Sequence, residues 1–183
     1  YHEKLGVEIE TMPIGIPISV RRPDDPEGGN RFTGVRFAAP VGIPDPALRM
    51  KKMGELVRDA RDEPALDGTS LVAPLLARLP APLISQLAGS LTSSNDLQAS
   101  NVPGFQEDLY MAGAKIERVY GLGPLPGCAT MITLITHGPT ACVGVNLDPA
   151  AVTDPELFAE CVQGGFAEVL ALHPGSAAPT RRV

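Results

Sequence analysis

The run ATMITLITHGPTACVGVNL, residues 129–147, decides the fold class of this 183-residue chain. Two apolar stretches rich in Thr, Ile and Val flank His137-Gly138-Pro139, which is the composition of two strands closed by a tight turn. Side chains alternate along a strand, so Val143, Val145 and Leu147 share one face of the second. Working outward, Ile14, Ile16, Ile18 and Val20 alternate with Gly15, Pro17 and Ser19, a second period of two. Proline cannot donate to a ladder, so Pro17 belongs at an edge or a bulge. Arg21 to Asn30 clusters Pro, Asp and Gly and reads as a loop, after which Arg31 to Val41 returns to an extended pattern through Phe32, Val35 and Phe37. These strands are placed to pair as neighbours. Leu97 to Val102 is a short strand running into a Pro103-Gly104 turn, and Leu109 to Tyr120 is extended, with Ile116, Val119 and Tyr120 near a buried surface.

Helices fill the gaps. Asp45-Pro46 is a helix start, because a carboxylate accepts an orphan amide and proline suits the first helical position. Met53, Leu56, Val57 and Ala60 form its stripe, and Pro64 ends it. From Asp67 to Leu91, leucines recur at helical spacing, broken in two by Pro80 and Pro82. That pair reads as packed against a core or interface, with a membrane-surface role as the alternative. Thr153 or Asp154 caps a last helix whose stripe is Phe158, Val162, Phe166 and Leu170. Tyr1 to Gly6 reads as the final turn of a helix, with Gly6 in the left-handed conformation. Strands and amphipathic helices thus alternate in pairs, which predicts an α/β fold, a two-layer sandwich with a mixed sheet. Residues 1–173 form one domain, and 174–183 a small, polar, flexible tail. A chain opening at Tyr1, not Met, is expected to be a processed product, an excised domain or the ordered part of something longer.

Composition removes several function classes. A net charge of -6 argues against a nucleic-acid binder, which needs a basic face to displace counterions. Cys128, Cys142 and Cys161 are odd in number and lack Cys-x-x-Cys spacing, so neither a disulfide framework nor a zinc site is indicated and a reducing cytosol is the expected compartment. No apolar run approaches the roughly 20 residues that span a bilayer.

Motifs are mostly negative. Gly121 to Gly127 has glycines in a loop, yet Pro126 stands where a dinucleotide fingerprint needs its third glycine and no Gly-Lys-Ser/Thr follows, so the segment reads as a structural turn. His2, His137 and His173 have no catalytic or metal-ligating neighbour in sequence, and each is expected at the surface or a terminus. No Gly-x-Ser-x-Gly elbow occurs. One segment stands out: Ser100-Asn101-Val102-Pro103-Gly104 sets two short donor side chains at a strand end before a turn. Such donors can stabilise a developing oxyanion, or they can satisfy the backbone of the turn.

That segment, followed by Leu109-Tyr110-Met111-Ala112-Gly113-Ala114 and Gly123-Pro124-Leu125, resembles the C-terminal domain of the bacterial wax ester synthase/diacylglycerol acyltransferase family. Pro17 to Arg21, Gly29-Asn30-Arg31 and Pro40 to Met50, with Asp45-Pro46 and Arg49, resemble the stretch that opens that domain; Asp148 and Asp154-Pro155-Glu156 resemble its close. The resemblance spans nearly the whole chain and implies the second half of a chloramphenicol acetyltransferase-like fold. It implies transfer of a fatty acyl group from acyl-CoA, a substrate and not a cofactor, to diacylglycerol or a long-chain alcohol. The general base it implies is the second histidine of a His-His-x-x-x-Asp-Gly motif in an N-terminal domain, and no such motif occurs here. The domain partner, with peripheral association with a membrane or lipid inclusion, follows from the same resemblance. Ser100 or Asn101 then becomes an oxyanion or tunnel residue, with Val102, Pro103 and Gly104 against substrate. Phe105 stands where the family more often has proline, and Met131 where Asn is common. A non-catalytic lipid-binding or interaction domain of the same fold is the competing reading.

Overall fold

Five strands build one mixed sheet in the computed structural model, which describes residues 1–21, 24, 32–62, 79–84, 86, 95–125 and 127–173. The strands are β1 (Met12–Ser19), β2 (Phe32–Ala39), β3 (Leu97–Phe105), β6 (Thr130–His137) and β7 (Thr140–Leu147); β4 (Tyr110–Met111) and β5 (Ala114–Lys115) form a separate small hairpin. The order is β2-β1-β3-β6-β7, with β1 and β3 and then β3 and β6 parallel, and an antiparallel strand at each margin. The expected pairing of the first two strands and the hairpin over 129–147 are both present, and the fold is the two-layer α/β arrangement with a mixed sheet.

Ile14 and Ile18 are buried where β1 meets β2, in register with Phe37 and Thr33. Removing such a side chain from water is worth about 1.5–3 kcal/mol. The buried row of β2 is Thr33, Val35 and Ala39, so Phe32 falls on the other side and is exposed. β1 pairs with β3 only at Ile14–Leu97 and Gly15–Gln98. Pro17 lies past that ladder, where its missing N–H costs nothing in the sheet.

Helix α1 (Pro46–Arg61) begins as expected: the Asp45 carboxylate accepts from the amides of Ala47 at 2.8 Å and Leu48 at 3.2 Å. Helix α2 (Pro155–Ala171) is capped by Asp154, which accepts from Leu157 N at 2.9 Å, so of the two candidate caps Asp154 acts. Its Phe166 departs from the expected stripe and is exposed, while Phe158 stacks edge-on against Tyr1. α1 packs on β2 and against α2, and Arg49 ties the layer together: it donates to Ile43 O at 2.7 Å and to Glu168 Oε2 at 3.1 Å. Residues 3–5 form a single 3-10 turn ended by Gly6 at φ 78°, the left-handed terminus expected there. Most of the Leu-rich 67–91 stretch, Gly29-Asn30-Arg31 and the tail from 174 lie outside the described residues.

Candidate functional site on strand β3

Ser100, Asn101, Val102, Pro103 and Gly104 are all part of β3, and this corrects the sequence expectation of a strand that stops for a Pro-Gly turn. The strand continues to Phe105 through a bulge: Val102 pairs with Ile135 and Phe105 with His137, so one residue is extra on β3. A Cβ on Gly104 would overlap the Thr136 carbonyl, so the backbones approach there only because residue 104 has no side chain. Gly104 is therefore a sheet-closing residue in this structure. Beyond Gln98, β3 has no register with β1, so the margin of residues 99–105 that faces β1 is unladdered among the described residues.

Ser100 and Asn101 do not point together. In the parallel register with β6, Ser100 pairs with Thr133, Asn101 with Leu134 and Val102 with Ile135. Neighbours along a strand face opposite sides, so Ser100 and Val102 share one face with Thr133 and Ile135, and Asn101 lies on the other. Ser100 is half-buried, whereas Asn101, Val102, Pro103 and Phe105 are exposed. Neither the Ser100 nor the Asn101 side chain has a hydrogen bond among the described residues. The alternative role of satisfying the turn backbone is thus absent along with the turn.

The face that carries Ser100 is crossed beside it by residues 116–123. Gly121 sits on Thr133, and a Cβ there would overlap the Thr133 methyl; its carbonyl in turn fills the space above Gly144. Gly123 lies on Met131, whose Cγ would be 2.7 Å from an added Cβ. The ends of this strap are fixed by side chains from the sheet. His137 Nε2 lies 3.2 Å from Ile116 O, and Asn146 Nδ2 donates to Gly123 O at 2.8 Å. Gly121 and Gly123 thus serve the structure, their missing side chains allowing close approach to the sheet. The strap also explains why Cys142 and Gly144, not Val143 and Val145, are the buried residues of β7.

Several expectations for this region change. The stretch from Leu109 contains the β4–β5 hairpin, and Tyr120 is exposed, while Ile116 and Val119 are half-buried. His137, expected at the surface of a turn, is only 8% exposed at the end of β6, and its Nδ1 has no partner. Thr133 is 6% exposed, and its hydroxyl and Asn95 Oδ1 are likewise buried without a partner. Period-two spacing in 130–137 contained the signal for Thr133 and His137, but the strap that buries them is not visible as a pattern. His173 is exposed.

Burial pushes the Cys128 thiol above its ordinary value, and the Lys52 ammonium, donating to Glu55 at 3.0 Å, holds that carboxyl below its own. Neither group adjoins Ser100. Among the described residues no cluster of three or more His, Cys, Asp or Glu is placed to hold a metal, and no helix is long and apolar enough to cross a membrane. What the β3 segment can offer chemically is hydrogen-bond donation from a half-shielded hydroxyl.

Comparison with known proteins gives these features a family. Residues 28–169 match the model of the WS/DGAT C-terminal domain. A Mycobacterium tuberculosis protein provisionally named a diacylglycerol O-acyltransferase is 50% identical over 177 residues, covering 97% of this chain and 36% of that protein. A second from the same organism, with the likewise provisional name diacylglycerol O-acyltransferase Tgs4, is 31% identical over 172 residues, covering 90% of this chain and 35% of its own length. The chain therefore spans about a third of the length of these relatives. The solved wax ester synthase/diacylglycerol acyltransferase from Marinobacter aquaeolei superposes with a TM-score of 0.60 at 17% identity, over 94% of this chain and 39% of that one, a likeness of fold. With its mixed sheet, its bulged Ser-Asn-Val-Pro-Gly strand and a family match over most of its residues, the chain belongs to the wax ester synthase/diacylglycerol acyltransferase family, as its C-terminal domain.

Proposed function

We propose that this domain forms one wall of the acyl-transfer site of an O-acyltransferase that moves a fatty acyl group from acyl-CoA to diacylglycerol or a long-chain alcohol. The observation that carries the reading is the family match over residues 28–169, which includes the Ser100–Gly104 segment on β3. In the reaction the acceptor hydroxyl loses its proton to a base as its oxygen attacks the thioester carbonyl. The tetrahedral oxyanion then collapses, and coenzyme A leaves as a thiol. The base is assigned to a His-His-x-x-x-Asp-Gly motif on an N-terminal domain, since none of His2, His137 and His173 belongs to such a motif.

Within this chain the oxyanion role goes to Ser100. It is half-buried and its side chain is unpartnered, and a donor shielded from water stabilises developing charge more than a solvated one. Val102, which shares the Ser100 face, and Pro103 beside it are assigned to the tunnel, whereas Asn101 is exposed on the opposite face. The water-insoluble acceptors imply peripheral association with a membrane or lipid inclusion. Leu83 and Ile84, in the helical segment at 81–84, are exposed apolar residues suited to it.

The test is ester formation from palmitoyl-CoA and dioleoylglycerol. Residues 1–183 alone should be inert, and supplying the N-terminal half in trans or covalently should give turnover. Robust turnover by residues 1–183 alone would overturn the assignment of the base. A folded, associated and inactive pair would favour the non-catalytic lipid-binding reading.

A further inference from the structure

Thr133 carries a buried hydroxyl with no hydrogen-bond partner, and such a group is uncommon enough in a folded protein to need a reason. Its surroundings narrow what the reason can be. Gly121 covers it, with the Thr133 methyl occupying the space a side chain there would take. On β7 its cross-strand partner is Gly144, which brings no side chain. On β3 its partner is Ser100, so the polar side chain beside it in register is the serine already assigned to the oxyanion. Adjacent strands lie about 4.8 Å apart, so two hydroxyls on one face in register come within hydrogen-bonding reach by rotation about χ1.

We propose that Thr133 is a positioning residue for Ser100, its buried hydroxyl donating to Ser100 Oγ so that the serine O–H is turned outward to the oxyanion of the acyl thioester. A serine hydroxyl has one proton and two lone pairs; on its own it rotates among its acceptors, and only one rotamer serves the substrate. A donor behind it occupies a lone pair, selects that rotamer and polarises the outward O–H, since chains of hydrogen bonds strengthen one another in a low-dielectric setting. Thr133 cannot take the oxyanion itself, because the strap leaves it only 6% exposed. No bond to carbon is made or broken in this step, and Thr133 keeps its proton throughout.

The inference rests on Ser100 being the oxyanion donor, and the experiment separates the two. In the complete protein, kcat and KM for palmitoyl-CoA with dioleoylglycerol are measured for Ser100→Ala, Thr133→Val, Thr133→Ser and the Ser100→Ala/Thr133→Val double variant, each with its melting temperature. Thr133→Val keeps the shape and removes the hydroxyl, so kcat should fall roughly tenfold, below the loss typical of an oxyanion donor itself, with KM for palmitoyl-CoA held within about twofold. Thr133→Ser should restore kcat. In the Ser100→Ala background Thr133→Val should add nothing. Losing a single hydrogen bond between neutral groups should lower the melting temperature by no more than a few degrees. Normal kcat in Thr133→Val with an impaired Ser100→Ala overturns the inference alone. Equal losses in both backgrounds, or a Thr133→Val protein that fails to fold while Thr133→Ser folds normally with kcat still impaired, overturn it as well, by making the hydroxyl part of the core. A Ser100→Ala enzyme with normal kcat overturns the oxyanion assignment and this inference with it.

Discussion

Gly104 lies against Thr136 so closely that a Cβ on residue 104 would overlap the Thr136 carbonyl oxygen. That contact closes the bulge between Val102 and Phe105 and fixes how the end of β3 meets β6. The glycine of the Ser-Asn-Val-Pro-Gly segment is accordingly required by the sheet, whatever substrate passes nearby.

Gly104→Ala should therefore destabilise the protein by about 1–3 kcal/mol or more, as overpacking against backbone does. Gly34, exposed in β2 with nothing near a prospective Cβ, is the control, and Gly34→Ala should be close to neutral. Thermal unfolding of the two variants side by side checks this; equal melting temperatures would remove the steric argument.

The strap over 116–123 should loosen when its anchors are cut. Asn146→Ala leaves Gly123 O without its donor, and His137→Ala removes the contact with Ile116 O. Each carbonyl is only part-buried, so each loss should cost about 1 kcal/mol, with a further loss at His137 from the cavity. Limited proteolysis followed by mass spectrometry should find new cleavage within 116–123 in the double variant and none in the parent.

Arg49→Ala should separate two contributions. The ion pair with Glu168 joins side chains that are 27% and 57% exposed, so Glu168→Gln alone should cost under about 1 kcal/mol and less at high salt. Loss of the donor to Ile43 O should make Arg49→Ala distinctly worse and leave that part insensitive to salt. Urea titrations at low and high sodium chloride read both terms.

Cys128 predicts an alkaline weakness. Burial raises its pKa in the folded state, so the fold keeps a proton that the unfolded chain releases. That stabilisation is complete below the unfolded thiol value of about 8.5 and is lost as the pH rises through the higher folded value. Cys128→Ala should flatten the decline in urea midpoint above that point relative to the parent. Identical slopes would assign the decline to other groups.

Local patterning carried most of the strands and helices and the pairing of β1 with β2 and of β6 with β7. Period-two runs at Ile14–Ile18 and over 129–147, and Asp-Pro caps at Asp45 and Asp154, are local signals, since each rests on residues within one or two turns of each other. The Ser100–Gly104 segment carried the family resemblance, and that resemblance held. What the tertiary structure decided is what lies across from each residue. Pro103-Gly104 reads locally as a turn, but Thr136, over 30 positions later, makes it a bulge because the glycine admits a foreign carbonyl. Ser100 and Asn101 read as a pair of donors, but strand alternation sends them to opposite faces. Thr133 and His137 read as ordinary strand and turn residues until the 116–123 strap covers them, pairing His137 Nε2 with Ile116 O and leaving the Thr133 hydroxyl and His137 Nδ1 unpartnered. Burial is set by chain segments that arrive from elsewhere, so no window of neighbouring residues contains it.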